Sequence, residues 1–307
     1  MKVAAFIWMK RRLHCSKRLQ IRCHLRIFPI YYLFISVIIL GLPHVSEIQN
    51  NAVWYYTYTS NLLLFLKQSY LSKLLNHTWS LSVEEQFYLL WPFLVLFIKR
   101  KYEIWLFILV IFSAPIFRLT FQYLGLWDYT LLSSYLDCLA GGGLLAYLQL
   151  NEKKLNFDKM NHYNRYVKLV TMVLWVLVII LHYQNLKEFK AFLNLLYSTT
   201  GCLSIYLLTK HYNEKWNFIF RNRPLVFIGK ISYGLYIYHK IIPWAFSILA
   251  AKLNMKISSD LYLNYLFYWM ILLPLTLVSW RLFEQPINNL KRHFSYTDQE
   301  EKIQLIH

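Results

Sequence analysis

The chain has 307 residues, of which 57% are hydrophobic, 19% aromatic and 16% charged, with eight Gly, eight Pro and a formal net charge of +18. Apolar stretches of roughly 16 to 23 residues recur along it, about the length that crosses a ~30 Å hydrocarbon core, and one water-soluble core has no room for them all. The basic residues fall in the gaps between apolar runs, which argues against a nucleic-acid partner and for an all-α, polytopic membrane bundle with its positive loops on one side of the bilayer.

Taken in order, the N-terminal apolar patch VAAFIWM is short and leads into the basic segment KRRLHCSKRLQIRCHLR, so signal-peptide cleavage is not expected. Candidate spans follow at 27 to 42, 52 to 66, 81 to 98, 104 to 124, 131 to 149, 168 to 183, 189 to 209, 229 to 251 and 261 to 283. Basic clusters lie at 10 to 26, at Lys99, Arg100 and Lys101, at Lys153 to Lys168, at Lys210 to Arg223 and at Arg281 to Arg292. Every second loop from residue 99 onward is basic, while the connections near 125 to 130, 184 to 188 and 252 to 260 are shorter or less so. If basic loops are cytoplasmic, an even number of crossings must separate Arg26 from Lys99. Segment 52 to 66 is then the one that re-enters or lies in the interface, because its first half, VWYYTYTSN, is rich in Trp, Tyr and hydroxyls. That leaves eight spans with both ends cytoplasmic, and an outward stretch from Pro43 to about Ser80. The organisation expected is a basic segment over 1–26 that includes the remnant of a preceding span, a membrane domain over 27–293 and a polar cytoplasmic tail over 294–307.

The stretch NHTWSLSVEEQFYLLWP, residues 76 to 92, carries two adjacent carboxylates at the mouth of a span. Ser82 and Glu85 have the S-x-x-E spacing of a helix capping box, which accounts for one carboxylate. Glu84 points about 100° away and faces the bundle, where acidic groups are expensive and usually meet a cavity or a partner.

These residues bear a resemblance. HTWSLSVEEQFYLLWP is similar to the signature of the acyltransferase family 3 membrane proteins, which transfer acyl groups from acyl-coenzyme A to hydroxyls of extracytoplasmic acceptors. Four further stretches resemble the rest of its pattern in the same order: IRCHLRIFPIYYL, YLDCLAGGGLLAYL, FIGKISYGLYIYHKIIPW and LVSWRLFEQPINNL. Together they run from about residue 20 to 293. Two features depart from the family. It begins with two more spans, the first bearing its presumed catalytic histidine, and nothing before Lys10 matches them; MKVAAFIWMK looks like the tail of the second. Cys23 also stands where the family has a second arginine. The resemblance therefore implies an N-terminally truncated ten-span core, which as given lacks that histidine.

The family implies roles that the residues can be asked to fill. Arg22 and Arg26, at the cytoplasmic surface, suit the phosphates of acyl-coenzyme A, with simple positive-inside anchoring as the plainer account. Asp137, roughly 9 Å into its span, and Arg118, at comparable depth, join Glu84 in one leaflet, either as a polar site with Arg118 pairing one carboxylate or as a structural ion pair. Gly141, Gly142 and Gly143 allow close helix packing or room for an acyl chain. His239, with Tyr233 and Tyr236 before it, is either a buried histidine bonded to a tyrosine or part of the acyl-donor path. His77, Trp79 and Ser80 precede the opening span on the outside, placed for contact with the acceptor. Glu84, His77 and Asp137 are thus the candidate catalytic residues, and Arg22, Arg26, Trp79, Ser80, Arg118, Tyr233 and His239 the candidate substrate contacts. Glu284 and Pro286 read as a helix stop where the chain leaves the membrane.

No metal-ligand spacing and no CxxC pair is present: Cys15 and Cys23 lie in the basic segment, Cys138 and Cys202 in apolar runs. The donor expected is acyl-coenzyme A, acetyl-coenzyme A above all, as substrate rather than as a permanently bound cofactor. The acceptor is a glycan or lipid-linked sugar and the setting a bacterial cytoplasmic membrane; oligomeric state, acceptor identity and acyl length have no signal. A multi-span transporter or flippase is the rival class, and a catalytically silent remnant a third reading.

Overall fold

The computed structural model describes residues 13–42, 46–151, 164–184, 189–210, 218–254 and 261–290, with side chains from His24 onward in the first range. Residues 1–12 and 291–307, residues 152–163 and 211–217 of the basic clusters, and the connections at 43 to 45, 185 to 188 and 255 to 260 lie outside the described residues. All regular structure among those described is helical. The helices are α1 (Leu13–Gly41), α2 (Ser46–Asn50), α3 (Ala52–Tyr56), α4 (Ser60–Lys67), α5 (Trp79–Phe97), α6 (Glu103–Tyr123), α7 (Leu136–Leu150), α8 (Asn164–Gln184), α9 (Lys190–Lys210), α10 (Phe218–Arg221), α11 (Arg223–Tyr238), α12 (Ile241–Lys252), α13 (Leu261–Ser279) and α14 (Gln285–Asn289). Among the described residues, five helical runs are long and apolar enough to cross a membrane: His24–Gly41, Glu103–Tyr123, Arg165–Gln184, Lys190–Lys210 and Tyr262–Asn289.

Burial in α1 shows why these helices need lipid. Ile27, Ile30, Tyr31, Phe34, Ile35, Ile38 and Ile39 are buried, one stripe at helical spacing. Leu33, Val37 and Leu40 occupy the other face and are exposed, Leu40 at 79%. An amphipathic helix in water would put polar groups there. On α8 the apolar surface extends nearly all round, with 11% of its spanning window buried. Such a helix is solvated by acyl chains.

Segment 52 to 66 does not form one helix. It is split into α3 and α4, of five and eight residues, at Thr57–Thr59, where Tyr58 takes a φ of +55°. Eight residues rise about 12 Å, short of a ~30 Å core, as the tyrosines and hydroxyls of this segment foreshadow.

Three other expectations are corrected. The segment 229 to 251 is two helices meeting at His239 and Lys240. Pro243 has no N–H to give the His239 carbonyl, and its ring crowds that carbonyl, so the α-helical ladder fails there. Ser82 and Glu85 do not cap α5, since the helix begins at Trp79, three residues before Ser82. The turn Asn76–Thr78 feeds directly into it, and the Trp79 amide already bonds a carbonyl of that turn. Pro286 does not stop the last helix either. A π-helical turn, Trp280–Glu284, widens the run so that it continues through α14 with the proline in its first turn.

The membrane domain expected over 27–293 divides into two compact units. Unit 1 comprises 61–68 and 80–219, and unit 2 comprises 13–60, 69–79 and 220 onward. In unit 1, α6, α7 and α9 pack on one another and α8 packs on α9. An aromatic chain runs through it, from Phe87 to Trp91 at 4.9 Å, to Phe107 at 5.1 Å and to Tyr147 at 5.9 Å. Asn61 and Gln86 exchange amide hydrogen bonds of 2.8 and 3.1 Å, tying α4 to α5. In unit 2, α1 packs on α3, α11 and α14, and α13 packs on α11 and α12. Tyr58 stacks on Tyr31 at 4.3 Å and on Phe28 at 5.2 Å, while the Tyr31 hydroxyl donates to the Tyr55 carbonyl at 2.8 Å.

Candidate functional site

Unit 1 holds a buried ion pair. Arg118, on α6, donates from Nη2 to Asp137 Oδ2 at 2.7 Å, from Nη1 to the Ser134 carbonyl at 2.6 Å and from Nε to the Ala191 carbonyl at 2.6 Å. Asp137 is fully buried in the first turn of α7, and its Oδ1 accepts the Cys138 amide at 2.9 Å. Its own carbonyl accepts the Ser198 hydroxyl at 2.9 Å, from α9. The guanidinium fork thus joins three helical segments, which a lysine ammonium has no geometry to do. Of the two carboxylates open to Arg118 on sequence grounds, Asp137 is the partner and Glu84 is not. Glu84, half-buried in α5, receives the Tyr88 hydroxyl at 3.4 Å.

Below the pair lies a cavity of about 260 Å³, lined by Asp137, Gly141, Leu144, Leu148, Ser198 and Cys202 among others. Gly141 marks close packing: a Cβ there would lie 2.8 Å from Ser198 Oγ. Gly142 has open space around it.

Unit 2 gathers the histidines. His77, buried in the turn Asn76–Thr78, has its ring 4.9 Å from that of His239 and 5.3 Å from Tyr236, with Phe34 at 6.3 Å. It packs among α1 and α11. The Tyr236 hydroxyl donates to the His77 carbonyl. His239 Nδ1 stands 2.6 Å from the Tyr236 carbonyl. A carbonyl only accepts, so Nδ1 carries the proton, and in the neutral ring Nε2 is the acceptor. Burial pushes the His77 imidazole down to about 3, with His239 and Lys240 adding to the effect and the carbonyls of Ile237 and Leu74 opposing it. His77 is therefore a neutral ring at physiological pH.

Further along unit 2, the Tyr233 hydroxyl donates to the Ile27 carbonyl at 2.9 Å, fixing the backbone beside half-buried Arg26. Arg22 lies on α1, its side chain outside the description. Trp79 and Ser80 are half-buried in the first turn of α5. Glu284, expected as a helix stop, is buried in the π turn. Gly234, inside the apolar helix α11, was the available signal for its position: a Cβ there would lie 2.8 Å from Glu284 Oε1.

The sequence matches the acyltransferase domain family over residues 18–284. It is also similar to peptidoglycan O-acetyltransferase OatA of Listeria monocytogenes, 26% identical over 256 residues, covering 76% of this chain and 40% of the relative. The chain thus spans less than half the length of that curated relative. No solved structure matches it. A match across most of the chain, in a bundle of this apolar make-up, shows that this membrane protein belongs to acyltransferase family 3.

Proposed function

We propose that the chain is the membrane part of an O-acyltransferase, moving an acyl group, acetyl in the first instance, from acyl-coenzyme A to a hydroxyl of an extracytoplasmic glycan. The family match carries this reading, and the OatA relative narrows it toward the cell envelope of a bacterium. The setting is the cytoplasmic membrane with both ends of the chain inside, so that Arg22 and Arg26 meet the donor's phosphates where it is made.

The transfer forms an ester bond between the acceptor oxygen and the acyl carbon and breaks the carbon–sulfur bond of the thioester. The hydroxyl proton must leave, and the coenzyme A thiolate must gain one. His239 presents a fixed tautomer, its Nδ1–H taken by the Tyr236 carbonyl, which reserves Nε2 as a hydrogen-bond acceptor on the donor path. His77, held neutral by burial, is a poor proton acceptor and serves by packing against His239. Glu84 orients the acceptor, and the Arg118–Asp137 pair holds the helices of unit 1 in register.

The test is transfer of radiolabelled acetyl groups from acetyl-coenzyme A to cell-wall glycan in membranes from cells expressing the protein. Label in the glycan that falls in Arg26→Ala, Glu84→Gln and His239→Ala variants supports the reading. Solute flux without label supports the transporter, and intact protein with neither supports a silent remnant.

A further inference from the structure

The cavity beside the Arg118–Asp137 pair lies wholly within unit 1 and has no task in the acyl-transfer scheme. Its lining runs from Asp137 to Gln149 on α7 and from Leu195 to Tyr206 on α9, with Ile111 of α6 and Val167 of α8 at its sides. The two long walls run alongside each other in one direction. Ser198 bonds the Asp137 carbonyl at one end, at 2.9 Å, and Gln149 bonds the Thr209 hydroxyl at the other, at 3.0 Å. With a rise of 1.5 Å per residue, the lined stretches are roughly 17–18 Å long, so the space is a slot along the helix axes.

The wall sets what fills it. Most of the lining is aliphatic, and the oxygen- and nitrogen-bearing side chains in it are already engaged. Asp137 holds Arg118 and the Cys138 amide, Ser198 the Asp137 carbonyl and Thr199 the Leu195 carbonyl. Gln149 holds Thr209, and the Tyr206 hydroxyl accepts from Lys210 Nζ at 2.9 Å. An ordered water needs two to four polar partners, and this wall has few to offer. At about 260 Å³ the slot also exceeds the ~150 Å³ apolar cavity that suffices for a benzene ring.

Its two ends differ in charge. One stops at the neutralised Arg118–Asp137 pair. At the other, Lys210 sits on Tyr206, its Nζ 5.3 Å from the ring centre, and exposed Arg165 and Lys168 flank Val167 on α8. Cations at the edge of a hydrocarbon layer attract anionic headgroups. One side of the slot is α8, whose remaining surface faces acyl chains, so the slot is continuous with the lipid interface of the bundle.

We propose that the slot is a lipid site, taking one hydrocarbon chain of an anionic phospholipid from the surrounding bilayer, with the headgroup phosphate at Lys210. An acetyl donor has no chain to place there. The lipid acts as a wedge that completes the packing of α7, α8 and α9.

The experiment is native mass spectrometry of the purified protein in detergent, titrated with phosphatidylglycerol or with phosphatidylcholine of the same acyl chains. One phosphatidylglycerol is expected to bind at concentrations on the order of tenfold below those phosphatidylcholine needs, the scale of one charge-assisted contact. Lys210→Gln should erase that preference and leave binding of both lipids at the weaker level. Leu148→Trp, whose indole fills the slot, should abolish the bound lipid altogether. Retention of the lipid in Leu148→Trp, as for lipid held only on the outer surface, overturns the inference, as does an unchanged preference in Lys210→Gln. Displacement of the lipid by a lower concentration of a polyprenyl phosphate or a long-chain acyl-coenzyme A also overturns it, because the slot would then belong to a substrate. Should Leu148→Trp fail to accumulate, Cys202→Phe, on the facing helix, decides in its place.

Discussion

Replacing Asp137 by Asn keeps the shape of the side chain and removes its charge, leaving Arg118 ionised inside unit 1. Arg118 would keep its two carbonyl contacts, at 2.6 Å each, but lose the one partner that neutralises it. Breaking a buried pair on one side costs about 3–5 kcal/mol, because the remaining charge has been taken out of water without compensation. For a unit of this size that is a fall in melting temperature on the order of 10 °C. Arg118→Met leaves Asp137 stranded in turn and should cost a similar amount. The double variant, Arg118→Met with Asp137→Leu, leaves no unpaired charge, while the Ser134 and Ala191 carbonyls and the Cys138 amide lose these partners, so it should recover part of the loss. Thermal challenge of the detergent-solubilised protein, read by fluorescence-detected size exclusion, supplies all four corners of the cycle. Single-variant losses that simply add would show that the two side chains do not depend on one another, and the argument from the 2.7 Å contact would be wrong.

Acidification offers a second measurement. The folded His77 is held near 3 against 6.5 when exposed. The unfolded chain therefore takes up a proton that the folded chain refuses, and the stability that is full above about pH 6.5 falls as pH drops toward 3, by about 2 kcal/mol at pH 5. His77→Gln, which cannot titrate, should flatten that part of the melting-temperature profile. At Gly141, alanine drives Ser198 Oγ away from the Asp137 carbonyl, a loss of about 1 kcal/mol that the same melting-temperature measurement should register. Tyr236→Phe deletes the donor to the His77 carbonyl, and should lower the melting temperature by the equivalent of about 1–3 kcal/mol.

Five of the expected spans were legible because lipid demands long apolar runs. The failure of 52 to 66 to span was legible for a related reason: tyrosines and hydroxyls crowd it. The pairing of Arg118 was foreseeable from depth alone, since a cation on one helix and an acid on another, both far from water, have few other partners. The break at His239 was written in Pro243, four residues on, but the stretch FIGKISYGLYIYHKIIPW is apolar enough throughout to pass as one span. Glu284 could not be placed by counting. A helix of constant pitch fixes which face each residue occupies, and the π turn changes that pitch within a single turn of chain. Nor does local pattern reveal that α4 groups with α5 through Asn61 and Gln86 while α3 groups with α1, since those pairings join residues far apart in the chain.

The nearly unburied surface of α8 also bears on heredity. Wherever acyl chains are the neighbours, any sufficiently greasy side chain satisfies the helix, and selection has little to hold in place beyond overall oiliness. Substitutions should accumulate fastest along that rim and slowest around the Arg118 fork and the notch at Gly234. Two proteins can then share one scaffold while agreeing at barely a quarter of their positions.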